Sequence, residues 1–438
     1  MGFGKLTTFQ TILISYLSVI LLGTALLMLP AASQSGGTSL LTALFTAVSS
    51  VCVTGLVVAD TATYWTGFGQ TVILLLIQTG GLGAVTIAVM ISVMAGRKIS
   101  LVQRSVLKDA VSGLHVGGII RFLRFILFMT VCTELAGAVL LAPVMIRDFG
   151  MAKGLWYALF HSVSAFCNAG FDLMGIRAPF SSLTHYHASP LINLTVSALI
   201  VTGGLGFLTW QDISENKWHF RDYRLQTKII LCASTVLIIV PAVLFFIFEY
   251  RFLPLPERIL ASLFQSVTAR TAGFNTQNLS LMSEPGMLLM IVLMLVGGSP
   301  GSTAGGMKTT TLFVLIFWLK SSIGRHRSVN VFNRRIEQPA VNDALTILLM
   351  YLLMFLTGSA LIAGVEKLPL LTCMYETASA LGTVGLTLGI TPSLSRISRI
   401  VLILCMYFGR SGGLTLAYAA VRLTERDKKY PEEKVMVG

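Results

Sequence analysis

The sequence predicts an all-α membrane protein: eight transmembrane helices and four re-entrant pore helices, arranged as a fourfold pseudosymmetric set of helix–pore loop–helix repeats. Three observations predict it. With 54% hydrophobic and only 12% charged residues, a chain of 438 residues belongs inside a bilayer. Four stretches, Val-Cys-Val-Thr-Gly-Leu, Phe-Cys-Asn-Ala-Gly-Phe, Ala-Arg-Thr-Ala-Gly-Phe and Leu-Gly-Thr-Val-Gly-Leu, carry the glycines Gly55, Gly170, Gly273 and Gly385, spaced by 115, 103 and 112 residues. Each follows an apolar segment shorter than the ~20 residues needed to cross hydrocarbon, and each precedes a full-length apolar run.

Taken in order, repeat one (1–96) has a span over 11–29, a short segment over 39–51 and a returning helix over 71–95. The first span is expected to be a retained helix, because it is long, lacks a small-residue cleavage site and is followed by seven more. Repeat two (119–212) has spans over 119–146 and 190–210 around a short segment at 154–166. Repeat three (225–322) has spans over 227–252 and 285–320 around 257–269. Repeat four (341–424) has spans over 341–365 and 397–421 around 369–381, and a cytoplasmic tail occupies 425–438. Two spans per repeat keep every repeat in one orientation, so an axis along the membrane normal can relate them. Inverted repeats, with a site on broken helices at midplane, are thereby disfavoured.

The returning helices carry a second repeated element: Gln78-Thr79-Gly80-Gly81-Leu82-Gly83, Val201-Thr202-Gly203-Gly204-Leu205-Gly206, Leu295-Val296-Gly297-Gly298-Ser299-Pro300 and Phe408-Gly409-Arg410-Ser411-Gly412-Gly413. In repeats one and two, close helix packing is the favoured reading. The third cluster runs on to residue 309 with further glycines and a proline, so no continuous helix is expected there.

The formal net charge of +13 follows topology, not nucleic acid. With eight crossings, the segments on the N-terminal side hold 21 basic residues and those on the other side eight. This is the positive-inside signature, and it predicts both termini in the cytoplasm. None of the six cysteines forms a CxxC pair, and all lie within or beside apolar segments; Cys52 and Cys167 read as small buried hydrophobes. The six histidines lack ligand spacing, and HExxH, GxSxG and GxxxxGK[ST] are absent from the sequence, so no enzyme is predicted.

The glycine stretches suit a dehydrated cation, whose lost water must be replaced by oxygen ligands. Rings of backbone carbonyls supply them without burying full charges. Glycine permits the backbone angles that aim successive carbonyls at one axis. The short helix before each strand would point its partly negative C-terminal end toward the same axis. Irregular backbone at membrane depth is tolerated only where it is buried or lines a cavity.

Over essentially its whole length the chain resembles the Trk/Ktr/HKT superfamily of potassium transporters. The most specific segments are Ser266-Val267-Thr268-Ala269-Arg270-Thr271-Ala272-Gly273-Phe274-Asn275-Thr276 and Gly297-Gly298-Ser299-Pro300-Gly301-Ser302-Thr303-Ala304-Gly305-Gly306-Met307-Lys308-Thr309. Eight spans without extra N-terminal helices resemble the Ktr membrane subunit. The resemblance implies a potassium-channel-like fold and potassium uptake across a bacterial plasma membrane. It implies an ion-binding filter of Cys52, Val53, Thr54 and Gly55; Cys167, Asn168, Ala169 and Gly170; Arg270, Thr271, Ala272 and Gly273; and Gly382, Thr383, Val384 and Gly385. Gly55, where sodium-permeable plant members often have serine, implies potassium preference. The resemblance further implies a gating loop at 297–309, including Lys308, and Arg410 facing the path beneath the filter. It implies a homodimer on a cytoplasmic ring of RCK-type nucleotide-binding subunits, with sodium as an activator and no cofactor beyond potassium in the filter.

The remaining charged residues are read individually. Arg270 is expected behind its strand, paired with a carboxylate or carbonyls. Lys308 is equally compatible with snorkelling toward the cytoplasm. Glu134 and Glu376 read as hydrogen-bonded structural carboxylates, although either could bind a coupling cation. That leaves a sodium- or proton-coupled potassium symporter as the alternative to a channel-like path.

Overall fold

The computed structural model describes residues 7–94, 118–217, 219–326 and 328–413, with Thr415 and Glu433. The expected tail and the end of the last span lie outside the described residues. The fold is mostly helical. Four helices are long and apolar enough to cross a membrane: α1 (Thr8–Leu27), α5 (Ile119–Phe149), α9 (Leu225–Leu244, extended by a π turn over Phe245–Glu249) and α13 (Gln338–Glu366). Each is followed by a short helix: α2 (Leu40–Val51), α6 (Met151–Phe166), α10 (Leu255–Thr268) and α14 (Leu370–Leu381).

Local chemistry sets these starts. Ser39 accepts the Thr42 N–H ahead of α2, and Pro254 and Pro369 precede α10 and α14, where a missing N–H costs nothing. The α9 π turn follows Pro241, whose ring removes one helical donor.

The returning segments differ from expectation. The first and second are broken as well as the third, and the fourth helix stops at Gly412 near the end of the described residues. Helix α3 (Gly67–Leu82) breaks at Gly83 before α4 (Ala84–Met94), and α7 (Pro190–Gly204) bends by 93° into α8 (Phe207–Asn216) near Gly206. Helix α11 (Glu284–Leu295) gives way to irregular chain before α12 (Thr309–Ile323), and α15 (Arg396–Ser411) ends at Gly412. Gly83, Gly206 and Gly412 share φ near +90° (90°, 91° and 82°), a conformation that stops a right-handed helix. A short antiparallel hairpin, β1 (Asn330–Val331) with β2 (Arg334–Arg335), joins α12 to α13.

Burial runs opposite to that of a water-soluble protein. Leu22, Phe128, Val139, Phe252 and Leu353 are exposed on the outside, whereas Ser49, Ser50, Thr54, Thr271 and Thr383 are fully buried at the centre. Lipid imposes the first set. The second must find its partners inside the protein. The C-terminal halves of the short helices, such as Phe45–Val51 and Tyr375–Leu381, are buried on every side.

Candidate ion path

The glycine stretches meet in one closed ring. A Cβ on Gly55 would collide with the Ala169 carbonyl, and one on Gly385 would collide with the Thr54 carbonyl. One on Gly170 would come 2.7 Å from the Ala272 oxygen, and one on Gly273 would come 2.5 Å from the Val384 oxygen. The order 55→170→273→385→55 returns to its start, so all four strands surround a common axis. Each glycine carries a positive φ (87°, 68°, 80° and 93°), and so does the residue two positions earlier: Val53 57°, Asn168 57°, Thr271 69° and Thr383 52°. Alternating the sign of φ along a strand turns successive carbonyls to the same side. For β-branched Val53, Thr271 and Thr383 the left-handed region is strained, at about 1–3 kcal/mol each. The same left-handed conformation at the same register in all four repeats, strained in three of them, points to function.

The short helices hold the strands in that state. Thr54 N donates to Ser49 O (2.8 Å), Ala169 N to Ser164 O (2.7 Å) and Val384 N to Ser379 O (2.8 Å). The same serines act through their hydroxyls. Gly55 N donates to Ser49 Oγ (3.1 Å), Gly385 N donates to Ser379 Oγ (3.0 Å), and Ser164 Oγ donates to Phe171 O (2.7 Å). These residues were missed in the sequence, although a serine six positions before the glycine is visible in three repeats. Repeat three has Val267 there, and Thr268 Oγ1 donates to Phe274 O instead. Two further supports occupy one equivalent position: Glu376 Oε1 accepts the Leu388 N–H (3.1 Å) and His161 Nε2 accepts the Leu173 N–H (3.3 Å). Both receiving segments lie three residues beyond the ring glycine. Glu376 also accepts from Thr387 and Thr391, so it is a structural carboxylate, as expected. Two residues beyond Gly170, burial pushes the Asp172 carboxyl up to about 7, with the Met174 N–H opposing the rise and Asp60 adding to it.

Other expectations need correction. Cys167 is not simply a buried hydrophobe: its Sγ donates to Gln78 Oε1 (3.5 Å) and Glu134 Oε1 (3.9 Å) behind the second strand. Glu134 also accepts from Gln78 Nε2 (3.3 Å). Arg270 is buried behind the third strand, but among the described residues its partner is the Ser234 hydroxyl (3.3 Å) and no carboxylate. Asn168, with its nitrogen turned toward carbonyls, donates to Ala165 O (3.0 Å) and Ile200 O (3.2 Å), leaving the main chain to face the axis. Cys52 is fully buried.

Beneath the ring lies the irregular segment 296–308. Gly297 N donates to Met307 O (2.7 Å), closing the segment into a loop. Ser299 N and Thr303 N donate to the Gly204 and Gly203 carbonyls (3.0 and 3.3 Å), Gly306 N to Gly409 O (3.2 Å), and Phe207 N to Gly301 O (2.9 Å). The backbone groups freed by breaking α7 and α15 are thus partners for those of the loop, which meets the requirement for irregular chain at membrane depth. Gly305 lies against the Thr383 side chain, and a Cβ on Gly306 would approach Gly382 O to 2.9 Å.

Arg410 donates to Thr303 O in the loop and to Gly80 O and Gly81 O (3.1 Å for the latter) at the end of α3. Lys308 Nζ donates to Ala304 O (2.7 Å) and lines a 320 Å³ cavity with Arg410, so it serves the loop and does not snorkel. Helix register also needs correction in repeat four. Cβ atoms on Gly80, Gly203 and Gly409 would strike the carbonyls of Val51, Phe166 and Leu381, the last residues of the short helices. Gly409 is therefore the counterpart of Gly80, one residue earlier than its cluster suggested. Arg410 then takes the place held by Gly81, Gly204 and Gly298. The packing reading of Gly80 and Gly203 holds, with a short helix as the partner.

The family described as a cation transport protein, TrkH, matches residues 5–430. The chain belongs to the TrkH family of cation transport proteins. Membership accords with a transporter and not an enzyme. Among similar proteins, the potassium/sodium uptake protein NtpJ of Enterococcus hirae is 40% identical over 99% of this chain and 98% of its own. The Ktr system potassium uptake protein B of Bacillus subtilis is 36% identical over 99% and 97%. A crystal structure of the potassium transporter TrkH from Vibrio parahaemolyticus, 20% identical, matches the fold with a TM-score of 0.75 over 97% of this chain and 87% of that one.

Proposed function

We propose that the chain is the pore-forming subunit of a potassium uptake system, admitting potassium through a ring of main-chain carbonyls above an intramembrane gate. The closed ring of Gly55, Gly170, Gly273 and Gly385 carries this reading. Its substrate would be held by the carbonyls of Thr54, Ala169, Ala272 and Val384 and their neighbours. The buried hydroxyls of Thr54 and Thr383 make no hydrogen bond among the described residues, and so remain free to help solvate an ion. The four long helices α1, α5, α9 and α13 and the four returning segments make eight spans, with α2, α6, α10 and α14 as re-entrant pore helices. Both termini face the cytoplasm of a bacterial cell.

The loop 297–309 blocks the path when tied to Arg410 and the breaks of α7 and α15. Release of those ties opens it. A pump is not required, because the membrane potential contributes ~2.3 kcal/mol per charge per 100 mV, and ~150 mV sustains roughly a few hundredfold accumulation. The names of relatives as proteins of a Ktr system favour a multi-component assembly. We read it as a homodimer on a cytoplasmic RCK-type ring, with sodium as an activator.

The test is potassium and sodium flux in liposomes. Gly55→Ser should reduce potassium preference, and deletion within 301–306 should raise leak. Wild-type behaviour in both would overturn the filter and gate assignments. A coupled symporter would show a fixed stoichiometry abolished by Glu134→Gln. The enclosure of Glu134 by Gln78 and Cys167 favours coupling-independent flux in that variant.

A further inference from the structure

A second cavity, of 760 Å³, lies between the first turns of α9, α12 and α13, with the α9 and α13 starts on the cytoplasmic side and the α12 start beside the irregular segment. Its lining on α13 extends from Glu337 at the helix start to Ile347, ten residues, or ~15 Å at the helical rise. The cavity has two chemically distinct parts. At the cytoplasmic rim stand Arg224, Arg334 and Arg335. The shaft is lined by Leu225, Ile229, Val314 and Ile347 together with the hydroxyls of Thr227, Thr310 and Thr311, so it is more apolar than the rim without being wholly so, and it reaches Pro300 of the gating loop. Arg224 is partly engaged by Asp212 and Glu215 at 4.0 and 3.9 Å, whereas Arg334 and Arg335 form no ion pair among the described residues. Glu337 and Asp343 also border the cavity, so with Arg224 shared with Asp212 and Glu215 the basic character of the rim rests on Arg334 and Arg335.

We propose that this cavity binds an anionic phospholipid, its phosphate at the Arg334–Arg335 rim and an acyl chain in the shaft against Pro300. The volume suits part of a lipid, one acyl chain with its headgroup at the rim, the second chain remaining in the bilayer. A charged rim over a more apolar shaft matches an amphiphile better than a free phosphate or a neutral lipid. The rim lies on the leaflet where anionic lipids meet basic side chains, and basic pockets between helices on that side recognise such headgroups. Pro300 is the lever. Its carbonyl lies against Gly206 at the α7–α8 break, and the next residue, Gly301, accepts the Phe207 N–H. An acyl chain behind Pro300 would brace the loop from the side opposite the ion path. Lipid composition would then set how readily the gate opens.

The experiment compares wild type with R334Q/R335Q, and with K320Q/R325Q as a control that removes two exposed charges from the same side. Retention of phosphatidylglycerol is read by native mass spectrometry of the detergent-purified protein, independently of transport. Flux is then read in phosphatidylcholine vesicles with and without phosphatidylglycerol, and with glycerol phosphate in solution. Expected are retention by wild type and control, and about 25-fold weaker retention by R334Q/R335Q, roughly fivefold per guanidinium. Flux should change with phosphatidylglycerol in wild type and control only. Equal retention in all three proteins, or the same response to soluble glycerol phosphate as to the lipid, would overturn the proposal. Lipid-independent flux in wild type would overturn its link to the gate while leaving the potassium reading intact.

Discussion

The ring of glycine strands and the layer directly beneath it derive from the same repeat, yet only the ring keeps the fourfold pattern. In the ring, each strand repeats the same two positive φ angles, and each glycine closes on the next strand's carbonyl. Beneath, three repeats end a helix at a glycine, the third inserts a loop, and the fourth places Arg410 where the others have glycine. On the proposed reading, a spherical cation needs equivalent oxygens on every side, so coordination would enforce symmetry. A gate would need one movable part and one anchor, which fourfold equivalence would forbid.

Perturbing the ring should have the largest effect. Gly385→Ala adds a Cβ against the Thr54 carbonyl at a φ of +93°. With strain of about 3 kcal/mol, potassium flux should fall on the order of a hundredfold while the protein still inserts. Liposome flux normalised to protein would check this. Next comes the layer beneath. Arg410→Gln removes hydrogen bonds from a charged donor to Thr303, Gly80 and Gly81. Loss of one at about 1.5 kcal/mol should raise flux through the unregulated protein about tenfold, measurable as potassium leak.

Smaller effects sharpen the comparison within the ring. Ser49→Ala removes the hydroxyl that accepts the Gly55 N–H, worth about 1 kcal/mol, and should lower potassium-over-sodium preference about fivefold. Val267→Ser, at the equivalent position of repeat three, should change preference least, because Thr268 already ties that strand. If Val267→Ser matched Ser49→Ala in size, the claim that the four short helices brace their strands individually would fail.

Much of this was legible in the sequence, and for a stated reason. The short apolar segments, the four glycines and the interrupted third returning helix follow from length, periodicity and glycine's freedom. The breaks at Gly83, Gly206 and Gly412 were not legible, because glycine clusters in membrane helices read first as packing surfaces until the contacts with Val51, Phe166 and Leu381 set their register. The donors around Glu134 and the hydroxyl partner of Arg270 come from helices distant in sequence, so no local pattern announces them.

Anomalous scattering from crystals grown in rubidium tests the central claim most directly. The account predicts rubidium on the axis, between the carbonyls of Thr54, Ala169, Ala272 and Val384 and those of the glycines that follow. Rubidium bound instead at Glu134 or Glu376, with none among the four strands, would contradict it.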